Sequence, residues 1–319
     1  MTPERERSGL PLEVAIVWAI FVLVAIEVIV TYSRVPPEEL YHVSGSGITG
    51  GLSRALVLVN FPLALAALAV VAVLYERVSY RSVAVAAALL CAVVFWPGVV
   101  RESNLDARTV NGLPAVGVLL AVVLTVEVAR WRGISTRSWR KTDWGRVAVA
   151  LVLLVLAIPW LAADLGFYSN GIPIVGKLFL SSDVRPEQPG SATLAPAVHH
   201  GQHHGLEGLL LILTALLLSR RLFDVRGAVL RNAIAAYLAL MFCYGIGNIA
   251  NDAWSEQVVK RGWTNWEFPN VLEPRATVAW GLIVIAALIM WALWARLIDW
   301  SEDEESSLRT EPDRLSARR

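Results

Sequence analysis

Lysine is almost missing from this chain of 319 residues: three stand against 25 arginines, and charged residues make up only 17% of the whole. Cysteine occurs twice, at Cys91 and Cys243, each inside an apolar run. That excludes a disulfide framework and reads as two buried thiols packing as small hydrophobes. The net charge of +1 offers no basic excess for a phosphate backbone, so no nucleic acid is expected as a partner. The zincin pattern HExxH is absent, and no Ser–His–Asp arrangement is legible. The glycine steps of YHVSGSGITGG lack the strand–loop–helix setting of a phosphate loop.

What fills the chain instead is apolar. Hydrophobic residues reach 56% and the mean hydropathy is +0.55, outside the range of ordinary soluble domains. Several uncharged runs approach the ~20 residues that a bilayer-spanning helix needs. We read eight spans, at about 12–33, 54–76, 81–100, 112–131, 146–165, 200–219, 229–249 and 276–297. The expected fold is an all-α polytopic bundle forming one transmembrane domain over 1–300. The tail 301–319, SEDEESSLRTEPDRLSARR, is highly charged and aromatic-free, and is predicted to be disordered. The first run carries Glu27 and no small-residue cleavage motif, so it reads as a retained helix and not a signal peptide.

Alternating the connections assigns both termini and the 2–3, 4–5 and 6–7 loops to one side. That side holds 19 of the 28 Lys and Arg residues. The positive-inside rule then places both termini in the cytoplasm of a multi-pass plasma-membrane protein. All five histidines and the long connections 166–199 and 250–275 fall on the outer face. In the second connection, NDAWSEQVVKRG predicts a short interfacial helix capped by Asp252 and ended by Gly262. Trp254, Trp263 and Trp266 are then expected at headgroup level.

Four of those histidines sit in PAVHHGQHHGLEG. The run that follows is too short to span alone, so counting back from Arg220 predicts that HHGQHHG forms the helix's own first turn and a half. Thr193 or Ser191 would be its cap, with Pro196 in the first turn. On a helix, His199, His203 and Glu207 make one stripe with a four-residue step, and His200 and His204 make a second pair. Two imidazoles and a carboxylate are a common ligand set for a divalent transition metal, whether Zn, Fe, Mn or Cu. Asp164, His42, Asp252 and Asn248 are candidates for further ligands or for hydrogen bonds that orient them. The motif resembles one histidine box of the membrane fatty-acid desaturases and hydroxylases. Those enzymes need several boxes, and this chain has one.

Glu207 lies about 10 Å into the outer leaflet by the helical rise. A carboxylate there costs about 2.5–3.5 kcal/mol on insertion scales and is expected to face the bundle. Glu27, Asn60, Asp164, Asn248 and Asn251 fall at a similar depth, with His42 and Arg54 just above. The inner half is expected to be nearly dry, with Thr125, Thr214 and Asn232 its main polar members and Glu127 pairing with Arg130. One-sided polarity favours an outward-opening cavity. The leading expectation is a metal-binding membrane protein, and a metalloenzyme if it takes a lipid or small-molecule substrate from the outer face. The alternatives are a transporter or metal-handling permease, and a non-catalytic assembly factor or pH sensor whose histidines serve a polar network or titrate.

Overall fold

The computed structural model of the chain describes residues 9–34, 45–100, 106–164, 173, 184–186, 194–196, 204–259, 262–267, 271 and 276–295. Among the described residues, a helical segment falls within each of the apolar runs. These segments are α1 (Leu12–Arg34), α2 (Gly47–Leu74), α3 (Arg81–Phe95), α4 (Gly112–Arg132), α5 (Lys141–Asp164), α6 (His204–Ser219), α7 (Ala228–Val259) and α8 (Val278–Ala295). Among the described residues, α1, α2, α4 (with the turn from Thr109), α7 and α8 are long and apolar enough to cross a membrane; α3 and α6 are shorter apolar helices. The chain is therefore an all-α molecule with the helices of a membrane protein. Two small strand pairs accompany them: β1 (Leu10–Pro11) runs parallel to β2 (Ile134–Ser135), and β3 (Val184–Pro186) pairs antiparallel with β4 (Leu194–Pro196).

Composition decides which helices lie at the centre. The second half of α2, NFPLALAALAVVAVL, carries alanine at 64, 66, 67 and 69, all with no exposed surface. Such a helix takes neighbours on every side, and 78% of its apolar window is buried against 11% for α8. The α6 helix is the second central element, with Leu210, Leu211, Ala215 and Leu218 buried toward α1 and α2. Its Leu206, Leu209, Ile212 and Leu216 pack with Leu153 and Ala157 of α5. Exposed valines, leucines and isoleucines cover the outer faces of α1, α4, α5 and α8. A surface of that kind suits hydrocarbon.

Close backbone approach sets the tightest helix pair. A Cβ at Gly208 would stand 2.5 Å from the Gly245 carbonyl oxygen, and one at Gly245 would stand 2.6 Å from that of Gly208. Only glycine at both crossing points lets α6 and α7 meet this closely. In α2, Pro62 has no N–H for the carbonyl one turn back. The turn just before it, Ala55–Val59, is π-helical, the local widening such a missing bond invites.

The segments alternate in direction, because their ends collect into two layers. One layer joins the starts of α1 and α5 to the segments that follow α2, α4 and α6. Glu13 accepts from Arg220 Nη1 at 2.8 Å and from Arg221 Nε. Asp143 holds Arg220 at 3.1 Å and Arg146 at 3.0 Å. Asp224 pairs with Arg77 at 3.4 Å, Arg221 at 3.1 Å and Arg137 at 3.7 Å. Burial pushes the Arg77 pKa down while Asp224 pulls it back up. Glu76 accepts from the backbone N–H groups of Arg226 and Gly227 and so caps the start of α7. In the opposite layer, Arg108 donates to the carbonyls of Gly98 and Val99, and the Ala107 N–H donates to Ser53.

Several expectations change here. Helix α3 breaks at Trp96, which is extended, so the third element is shorter than the expected 81–100. No separate interfacial helix follows span seven. NDAWSEQVV simply continues α7, ending in a π turn at Ser255–Val259, because nothing in that sequence interrupts the backbone ladder before Gly262. Pro196 lies in β4, paired with Val184, eight residues before the first residue of α6 and not in its first turn. At the end where Glu13 and Asp143 lie, Glu127 accepts from the Ser79 N–H at 3.2 Å, where a local pair with Arg130 was expected.

Candidate functional site

The mouth of α6, where it crosses the last turns of α7, gathers the candidate residues that the structure describes. Glu207 is 3% exposed and lies one turn inside α6, whose first residue is His204. On the helical period Glu207 heads the row of Leu211, Thr214 and Leu218, so it points toward the side packed on α1 and α2. Facing α6 from α7 stand Asn248, 2% exposed, and Asp252, 5% exposed, one turn apart. The Asn248 Cβ lies 3.1 Å from where a Cβ at Gly208 would be, and its amide donates to the Tyr244 carbonyl at 3.2 Å.

Asp252 has a definite task. Its Oδ2 accepts the backbone N–H of Gly205 at 3.2 Å. The first N–H groups of a helix have no partner within it, and a carboxylate placed there also meets the positive end of the helix dipole. Asp252 therefore caps a helix, as its residue type predicted. The helix is α6, not the segment that Asp252 itself belongs to. Sequence spacing pointed to the local partner because a partner 47 residues away leaves no periodic trace.

A further polar layer lies at the same end. Arg54 is 4% exposed, with its guanidinium 3.9 Å over the Tyr32 ring. Asn60, just past the π turn of α2, donates to the Asn111 carbonyl at 3.0 Å, and Asn111 donates to that of Val99 at 2.9 Å. These contacts join α2, α3 and α4 below the surface. Asn251, 8% exposed, completes the buried polar residues of α7. This end is polar in depth, as expected.

His42, His199, His200 and His203 lie outside the described residues, as do the proposed caps Ser191 and Thr193; of His204 and Asp164 only the helical backbone is described. Among the described residues no group of three or more His, Cys, Asp or Glu is placed to hold a metal ion. A metal at this mouth would have to draw its nitrogen ligands from 199–204, with Glu207 as the described carboxylate nearest in sequence. Asn248, engaged with Tyr244, sits where it positions the α6–α7 crossing.

Sequence reasoning missed the charged layer at the other end. Glu13 and Arg221 are each 2% exposed, yet both read in sequence as ordinary charges at a span boundary. The available signal was the density of SRRLFD beside acids in the first turns of spans one and five. No protein-family model, curated protein or solved structure matches the chain.

Proposed function

We propose that the chain is an eight-span plasma-membrane protein, with both termini cytoplasmic, that holds a divalent transition metal at the outer mouth of α6. The observation that carries this reading is Glu207: a carboxylate almost fully buried, one turn inside a central helix, directly after four histidines. Burying a charge among apolar side chains is costly unless it is paired or ligating. The four histidines at 199, 200, 203 and 204, with Glu207 close after them in sequence, supply the donor types that Zn, Fe, Mn or Cu accept. When bound, such an ion polarises a substrate oxygen or activates water.

This chain's own residues prepare the place. The Asp252 carboxylate fixes the first turn of α6 by holding the Gly205 N–H, which fixes where Glu207 points. The Gly208–Gly245 crossing locks α7 against it. The apolar outer surface lets a lipid or another amphiphile reach the mouth laterally, the substrate class we favour. Metal analysis of the detergent-purified protein tests the reading. We expect about one metal per chain in the wild type, and loss of it in both the His203→Ala, His204→Ala variant and Glu207→Ala with folding retained. Negligible metal in the wild type overturns the proposal.

A further inference from the structure

The strongest unassigned surface lies at the opposite end, on the connection between α4 and α5. We infer that Trp131 to Arg146, RWRGISTRSWRKTDWGR from Arg130 on, is a docking surface for the headgroups of anionic phospholipids. This rests on the membrane embedding of the helices and not on the metal site.

Three observations point there. The first is unbalanced charge. In the buried layer beneath the connection, Arg77, Arg137, Arg146, Arg220 and Arg221 share the three carboxylates of Glu13, Asp143 and Asp224. The stretch above that layer itself carries six basic residues, Arg130, Arg132, Arg137, Arg140, Lys141 and Arg146, against the one acid Asp143. Arg132 and Lys141 are exposed at its rim.

The second is the aromatic content. Trp131, Trp139 and Trp144 are 77%, 54% and 67% exposed, and Ile134 is 61% exposed. Four large apolar side chains this exposed, two on the connection and one at each adjoining helix end, are costly in water and favourable at headgroup level, where an indole has apolar and polar neighbours at once. They also continue a lipid-type surface: Val126 of α4 and Val152 of α5, 57% and 60% exposed, follow directly along the helices.

The third is rigidity. The connection is held by Arg221 to the Ser135 carbonyl at 3.0 Å, by Arg137 to the Arg220 carbonyl at 2.6 Å, and by the β1–β2 pair. Trp139 is held edge-on to Trp144, ring centroids 5.5 Å apart, with Arg220 5.5 Å over its ring. A surface fixed in advance loses little entropy when a headgroup binds. The phosphate would sit among Arg132, Arg140 and Lys141, with the acyl chains passing the tryptophans toward Val126 and Val152.

Thermal unfolding of the full-length protein in detergent tests this, with phosphatidylglycerol, phosphatidylcholine of the same acyl chains, or inorganic phosphate added. We expect phosphatidylglycerol alone to raise Tm by several degrees, and Arg132→Gln, Lys141→Gln to remove at least half of that rise. Arg81→Gln, an exposed arginine at the same end but off the connection, should keep it. Added salt should diminish the rise in the wild type, a readout that needs no variant to fold. Equal rises with phosphatidylcholine, reproduction by inorganic phosphate, an unchanged rise in the double variant or equal loss in Arg81→Gln would each overturn the inference. Failure of embedding itself would show separately, as a chain that stays dispersed without detergent.

Discussion

Asp252 and Glu13 are both acids buried at helix ends, and their partners make different predictions. Asp252 caps α6, so Asp252→Ala should lower stability by about 1 kcal/mol, within the 0.5–2 kcal/mol usual for caps, and Asp252→Asn by less. Thermal midpoints of the purified protein read this; equal losses for the two variants would mean the contact with Gly205 does not act as a cap. Glu13 instead joins two arginines; Glu13→Ala leaves Arg220 to Asp143 and Arg221 to Asp224, so the loss should stay below that of a buried charge left with no partner, about 3–5 kcal/mol. Comparing Glu13→Ala with Glu76→Ala, at a half-buried acid bonded only to backbone N–H groups, should show the larger loss in the former. Glu207 was legible in sequence because depth follows from counting residues along a helix. Glu13 was not, since a charge near a span boundary looks alike whether it faces water or a neighbouring helix end.

At the level of helices, apolar runs predicted where each segment lies, because that depends on local hydropathy alone. What escaped depends on the partners each segment meets. Past the expected end of span seven, the indole of Trp254 donates to the Trp266 carbonyl at 2.8 Å, while α3 ends early at the extended Trp96. Pro196 belongs to a hairpin whose other strand lies ten residues upstream. The crossing of α6 and α7 offers the sharpest test. Gly245→Val places carbon atoms where the Gly208 carbonyl oxygen and Ile212 already stand, so the helices must separate. We expect a loss of roughly 1–3 kcal/mol, the usual cost of overpacking, and disturbance of the Asp252 contact about two turns away along α7. Gly281→Val, where nothing lies within 4 Å, should be tolerated; parallel measurement of both midpoints decides.

For the whole molecule, the two layers of helix ends predict which connections share a side. With Cys91 and Cys243 replaced, a cysteine introduced at Ser46 should react with a membrane-impermeant maleimide in intact cells. One at Thr136 should react only after permeabilisation. The reverse pattern would invert the proposed orientation, and labelling of both from outside would break the eight-span reading. The ties of α1 carry a consequence for how such a chain is made. Helix α1 is synthesised before the residues that tie its start: the strand partner is at Ile134–Ser135, and the ionic anchors of Glu13, Arg220 and Arg221, lie 207 and 208 residues later. Contacts so distant in sequence form only after the intervening segments have been inserted. One end of α1 can therefore pack early, against α2, while the end at Glu13 waits, and a nascent chain stopped before α6 would hold α1 without the arginines that secure that end.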